Sequence, residues 1–437
     1  MPSPSPRPLL EVPRFPGSSP ACLQQPRAGA RLDIDAAELR RMCDRLGLSG
    51  SAYPEEDLRR RFLEGWALVD PFGGPPPSPR TAIELFASWR RLFSANRQIA
   101  SIQGIARWKR AALAPLLWDG RRDVPFDQPL APGGTTAIWR ARTSTRALRA
   151  IDASGGQRLE IEDGFIRSAG LGADCVPPLS IVVERDFAHY DPSGPSGVER
   201  LVAKGGFDGD LLARAARLRT RIVSLGIGKY GASSMRFARP GGARRHLLVI
   251  GQVADDLSLR LGGAGLDNMA LLRRVRLAAP DAFILYRPHP DVTAGHRAGH
   301  VPDGEALAFA DMVAREPPIA ALIEAADEVH AITSLAGFEA LLRGKRVVTH
   351  GVPFYAGWGL TTDLGPVPAR RMARRSIDEL VAAALLLHPR YLDPLTRLPC
   401  PVEVAVERVA GGAGMGSELL VGLRRRWGSV RRAARWN

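Results

Sequence analysis

Arg287-Pro288-His289-Pro290-Asp291 displays a cation, an imidazole and an acid on one short turn. Each proline holds its own φ at about −65° and pushes the residue before it into an extended conformation. An Arg and a His fixed in this way suit an anionic ligand such as a phosphate; a plain surface turn is the alternative. Gln252 with Asp255 and Asp256 makes a second polar cluster. Thr333-Ser334, followed by Gly337 and Glu339, makes a third. Ser334 stands where a helix should begin, so free N–H groups and the helix dipole could receive a phosphate. Glu339, just inside that helix, could accept from ribose hydroxyls. Otherwise Ser334 only caps the helix and Gly337 only allows close packing. A fourth motif, Glu162-Asp163-Gly164 with Arg167 and Ser168, is either a site rim or an acidic turn. Each motif alone has a plain structural explanation, but three on successive strand ends favour a nucleotide site.

The elements that must hold these motifs alternate. Residues 282–286 (AFILY) and 246–250 (HLLVI) read as short buried strands, as do 328–332 and 346–349. Helices are expected over 267–279, 319–326, 335–342 and 377–388. An earlier run has strands at 136–139, 158–162 and 180–184 and helices at 143–153 and 211–225. The second helix ends near Gly228-Lys229-Tyr230. Strands alternating with helices imply parallel sheets. The predicted fold class is therefore α/β, with two Rossmann-like units, at 131–240 and 241–395, and a cleft between them. Ligands in such sheets bind beyond the carboxyl ends of the strands.

Around this frame, the Pro/Ser-rich residues 1–30 read as a disordered tail, and 31–130 as a helical extension with a linker at 70–80. Residues 81–118 read as strongly helical with a break at Gly104. The polar side of that stretch carries Arg90, Arg91, Arg97, Arg107, Lys109 and Arg110, either a solvated face or a membrane-facing one. Segment 351–362 (GVPFYAGWGLTT) is either a mobile loop over a ligand or a packed aromatic loop. Residues 396–437 read as a basic tail; the arginines and tryptophans of 423–436 suit an anionic membrane surface or a solvated end.

The chain has 437 residues, 45% hydrophobic and 24% charged, and a net charge of +15, so a globular protein with acidic partners is expected. Nucleic acid would explain the charge but not the strand-end motifs. Cys22, Cys43, Cys175 and Cys400 lie far apart, which argues against a zinc site or a disulfide framework. His289, His296 and His300 match no tight metal-ligand spacing, so no metal is expected. No P-loop or G-x-S-x-G elbow occurs, no G-x-G-x-x-G opens a βαβ unit, and no apolar run reaches membrane-span length.

Together these stretches resemble the KpsC/LipB-like capsule polysaccharide family, the bacterial β-Kdo glycosyltransferases. The resemblance rests on EDGFIRS (162–168) with Gly170 and Gly172, VPPLSIV (176–182), Tyr190-Asp191 and Gly228-Lys229-Tyr230. It rests further on Gln252 with Asp256 and Ser258, HPDV (289–292), Thr333-Ser334, GFEALL (337–342), Gly344-Lys345 and PFYAGWGLT (353–361). It covers about residues 135–395. It implies a GT-B-like fold, a CMP-Kdo donor, no other cofactor and retention of the β-anomeric configuration. Family members build the Kdo linker between capsule polysaccharide and a phosphatidylglycerol-type lipid; related modules add Kdo to O-antigen glycans. Some carry two transferase modules in tandem, and one is expected here. Asp256 aligns with the family's nucleophile. Arg287, His289, Lys229 and Ser334 would face the donor's phosphate and carboxylate, beside Gln252, Pro290, Gly337 and Glu339. Glu162 or Asp163, flanked by Arg167 and Ser168, would take the acceptor's proton. The expected partners are CMP-Kdo, a lipid- or glycan-linked acceptor, the inner face of an anionic inner membrane and other capsule-assembly proteins, and the expected location is cytoplasmic. The competing functions are transfer of another CMP-activated keto-acid sugar and a non-catalytic role in capsule assembly.

Overall fold

A computed structural model describes residues 7–48, 52–168, 170, 176–229, 231–295 and 297–413. Two six-stranded sheets dominate it. The second sheet is wholly parallel, in the order Met312–Val313, Phe283–Arg287, His246–Ile250, Glu328–Ala331, Arg346–Thr349, Thr362–Asp363. Its central strands are apolar on both faces because helices cover both sides. Helices Asn268–Ala278, Ile319–Ala325 and Leu335–Leu342 make the crossovers. Strand order reverses between His246–Ile250 and Glu328–Ala331, which opens a crevice above their carboxyl ends.

The first sheet runs Pro399–Cys400, Arg390–Leu392, Ser180–Glu184, Arg158–Asp163, Thr135–Ile138, Ile99–Gln103. It departs from the parallel sheet that the sequence predicts. Its last three strands are parallel, whereas Ser180–Glu184 runs antiparallel to Arg158–Asp163, and the chain's return at 390–400 adds antiparallel strands. Among the described residues of 164–179 there is no helix, and the next strand pairs antiparallel.

The flanking segments also differ from expectation. The expected helical run over 81–118 is two helices, Pro79–Asn96 and Arg107–Leu117, around the strand Ile99–Gln103. Ile99 and Ile102, read as a helix face, are buried in that strand, and Gly104 turns out of it at φ 78°. Residues 7–30, expected to be tail, hold most of the strand Gln24–Arg31, which pairs with Glu64–Leu68; Leu10 and Phe15 fill the core beneath. Residues 396–413 return to the fold through the helix Val402–Ala410. The basic stretch 423–436, Gly172, Cys175, Tyr230 and His296 lie outside the described residues.

The two halves share one core. Phe165, Ile166 and Val198 of the first meet Leu248, Ile250, Phe354 and Trp358 of the second. Of the two readings of 351–362, the structure has the packed one: Phe354, Tyr355 and Trp358 are buried. This is a GT-B-like arrangement, two α/β units with a crevice at their junction.

Candidate active site

The backbone of Lys229 joins the two halves. The Lys229 N–H donates to Glu339 Oε1 at 2.7 Å, and its carbonyl accepts from the N–H groups of Arg167 (3.2 Å) and Ser168 (3.4 Å). The EDGFIRS motif of the first half is thereby tied to the helix Leu335–Leu342 of the second.

On the first side, the strand Arg158–Asp163 ends in the two acids. Asp163 Oδ2 accepts from Arg167 Nε at 2.7 Å, and Lys109 Nζ lies 3.7 Å from Oδ1. Burial opposes the Asp163 charge, but Arg167, Lys109 and Lys229 outweigh it and hold the carboxyl below its ordinary range. Burial, then the Asp163 charge, push Glu162 the other way, up to about 7. Two adjacent acids are thus set apart, one ionised and one poised near neutrality, as acid–base chemistry needs. Arg167 and Ser168 are buried and bonded to each other, so they frame Asp163 from within.

On the second side, Gln252 bridges the strand-order reversal. Its Nε2 donates to Thr333 Oγ1 at 3.0 Å, its Oε1 accepts from the Thr333 N–H at 2.8 Å, and Asn268 holds its backbone. Gln252 therefore braces the crevice. Asp256 caps the helix Leu257–Gly262, accepting from the Ser258 N–H at 2.9 Å, and is half-buried. Asp255 is exposed and paired with Arg297 at 3.0 Å. His289 Nδ1 accepts from the Asp291 N–H at 3.1 Å, at a short helix that begins with Pro290. Burial lowers the His289 pKa against the pull of Asp291 and Asp256, with Lys229 and Arg297 also lowering it. A neutral ring that accepts at Nδ1 carries its proton on Nε2, a donor suited to a phosphate oxygen. Lys229 acts electrostatically on Glu162, Asp163 and His289 alike, and Asp256 acts on His289, so the five groups lie within electrostatic reach of one another through Lys229 and His289.

Arg287 stands elsewhere. Its Nη1 donates to the Ala314 carbonyl at 2.9 Å and to that of Arg315, which braces the sheet edge. Ser334 caps its helix through the Ala336 N–H (3.3 Å). Glu339 is buried, and burial raises its pKa; Oε2 has no hydrogen-bond partner. Gly337 is a packing requirement: a Cβ there would lie 2.1 Å from the Tyr355 hydroxyl, which donates to the Ser334 carbonyl at 2.5 Å. Gly337→Ala is expected to cost about 1–3 kcal/mol in denaturant unfolding. Adding Tyr355→Phe should recover only part of this, because Cζ also lies within 2.7 Å of that Cβ. Full stability in Gly337→Ala would refute the packing role.

Lys109 is the residue that the sequence misplaces. It was expected among solvent- or membrane-facing cations, yet it is 8% exposed and sits against Asp163. A signal existed: Lys109 shares the helical spacing of Ala112, Leu113 and Leu116, the apolar face of Arg107–Leu117. Trp139, whose ring covers the ammonium at 3.6 Å, carried no such signal.

Residues 208–391 match the model of a family described as capsule polysaccharide biosynthesis protein. The capsule polysaccharide modification protein LipA of Neisseria meningitidis is 36% identical over 359 residues, covering 79% of this chain and 50% of LipA. The lipopolysaccharide-processing protein LpsZ of Rhizobium meliloti is 42% identical over 236 residues, covering 53% of each chain. Two solved structures of Thermosulfurimonas dismutans KpsC, a β-Kdo 2,7 transferase and a β-Kdo 2,4 transferase, are each 30% identical. Their TM-scores are 0.59 and 0.62, and each match covers 72% of this chain and 99% of the other. The chain belongs to the KpsC/LipB-like capsule polysaccharide family. It spans about half the length of the curated relatives it matches. For a member of this family, the matched region 208–391 holds Lys229, Asp256, His289 and Ser334, whereas Glu162 and Asp163 precede it. Among the described residues no three His, Cys, Asp or Glu side chains group as metal ligands, and no helix is long and apolar enough to cross a membrane.

Proposed function

We propose that this family member is a retaining glycosyltransferase that moves β-Kdo from CMP-Kdo to a lipid- or glycan-linked acceptor in capsule or surface polysaccharide biosynthesis. The observation that carries the reading is the Lys229 backbone, which joins the strand end holding Glu162 and Asp163, through the Arg167 and Ser168 N–H groups, to the Ser334 helix, through Glu339, with His289 and Asp256 within electrostatic reach. The transferase names of the KpsC structures support it.

The Asp256 carboxylate attacks the anomeric carbon of Kdo, and the bond from that carbon to the phosphate oxygen breaks. CMP leaves with the electron pair, and a covalent glycosyl–Asp256 ester remains. His289 Nε2–H and Lys229 hold the departing phosphate, a good leaving group that needs little acid help. Ser334 and the N–H groups of its helix are the further anion donors. Arg287, turned to its own sheet edge, has no direct part. The acceptor hydroxyl then attacks the same carbon, Glu162 takes its proton and Asp256 is released. Two inversions give net retention. The reaction belongs at the inner face of an anionic membrane, where a lipid-linked acceptor would lie.

The test is CMP release from CMP-Kdo with a β-Kdo-capped lipid-like acceptor. Release is expected to rise with pH through about 7, because Glu162 must lose its proton to act and burial raises its pKa. A rate flat from pH 5 to 9 would remove Glu162 from the role. Binding of CMP without turnover of CMP-Kdo would point to another keto-acid sugar. Absence of CMP binding would point to a non-catalytic assembly role.

A further inference from the structure

A buried lysine needs a partner, because a desolvated ammonium is costly and a methionine of similar shape would not be. Lys109 completes the apolar face of Arg107–Leu117 beside Ala112, Leu113 and Leu116, all buried. Its Nζ lies 3.6 Å from the centre of the Trp139 ring and 3.7 Å from Asp163 Oδ1. That oxygen is buried and accepts no hydrogen bond, while Oδ2 is held by Arg167. Lys109 is thus the cation aimed at the otherwise unbonded half of the Asp163 carboxylate. The backbone N–H of Asp163 in turn donates to Glu162 Oε1 at 3.0 Å.

We infer that Lys109 is a positioning residue: its ammonium, covered by Trp139, anchors the Asp163 carboxylate at the strand end, and Asp163 in turn sets Glu162 for proton transfer. The catalytic half of this statement rests on the transferase function proposed above.

The charges around Glu162 define the test. Asp163, Lys109 and Lys229 act on it directly. Glu160 lies on the same strand, and Tyr190 donates to Glu160 at 3.2 Å with Arg140 nearby. Asp163 is faced by Arg167, Lys109 and Lys229. Removing Lys109 deletes a positive charge that favours the ionised form of both acids, so both should titrate at higher pH.

The experiment compares wild type, Lys109→Met and Lys109→Arg in two readouts. One is the titration of Glu162 by carboxyl ¹³C NMR, assigned with Glu162→Gln. The other is the pH profile of CMP release. Lys109→Met is expected to move the Glu162 titration up by about one pH unit, and with it the acid limb of the profile. Its activity should fall about tenfold on the acid side and converge with wild type at alkaline pH. Lys109→Arg keeps the charge and should titrate like wild type. Lys109→Gln, neutral but still able to bond Asp163, replaces the methionine variant if that one does not fold. A loss by the same factor at every pH, or an unmoved Glu162 in a folded neutral variant, overturns the inference. Wild type that fails to turn over CMP-Kdo overturns the transferase function instead, and the NMR titration then still decides whether Lys109 acts on Glu162.

Discussion

Asp256→Asn is expected to lower CMP release from CMP-Kdo by at least about a thousandfold, because an amide cannot form the glycosyl ester. The fold should be unaffected. Asp256 caps the helix Leu257–Gly262 by accepting from the Ser258 N–H at 2.9 Å, and asparagine caps a helix about as well. Thermal melting of the variant should therefore match wild type, which separates lost chemistry from lost structure. Mass spectrometry of wild type quenched during turnover should show a Kdo adduct on the peptide carrying Asp256. Activity retained in Asp256→Asn would eliminate Asp256 as the nucleophile and leave the family assignment standing.

The second large effect is on stability. Glu199, on the helix Gly197–Lys204 of the first half, is buried and accepts from Arg370 Nε at 2.6 Å and Arg371 Nη2 at 3.0 Å. Arg371 has only 2% of its side chain exposed, and its Nη1 donates to the carbonyls of Pro353 and Ala356. Burial lowers the Arg371 pKa, and Glu199 is the largest of the charges that oppose this lowering. Glu199→Ala leaves that guanidinium buried without a counter-ion, beside Arg370. Removing one partner of such a pair typically costs about 3–5 kcal/mol, since the desolvation penalty stays when the attraction goes. Denaturant unfolding measures it directly. A loss below about 1 kcal/mol would mean that water or a rearranged Arg370 takes over the charge. The same contact holds the 353–358 segment, whose Tyr355 supports the Ser334 carbonyl, so CMP binding should weaken in the folded fraction as well.

The second sheet was largely legible in the sequence. Its strands are short, continuous apolar runs, and His246–Ile250 and Arg346–Thr349 fall where the pattern puts them. Residues at strand ends were legible for the same reason. Ile99–Gln103 was not, because Ile99, Ile102 and Ile105 also fit a helical stripe; pairing with Thr135–Ile138 overrides that local ambiguity. The strand Gln24–Arg31 was hidden by Pro26, Gly29 and two arginines at a two-stranded edge. Within the site, residue type did not reveal orientation. Arg287 and Gln252 stand at strand ends as expected, yet their side chains are bonded to carbonyls and to Thr333, and only tertiary contacts decide that. Lys109 was misread because a cation among arginines resembles a wet surface unless its helical phase is followed.

The Lys229 backbone, its N–H bonded to Glu339 and its carbonyl to Arg167 and Ser168, has a mechanical meaning. A small rocking of one sheet against the other that preserves these bonds pivots near Lys229, with the shared core and the Glu199–Arg371 pair limiting its range. Displacement then grows with distance from the pivot, as at the free end of a lever. In the proposed transferase, such a motion would shift the rim of the crevice more than the groups held beside Lys229. Under that proposal, admission of substrate and the spacing of the reacting groups would be partly uncoupled, although both depend on the same cleft.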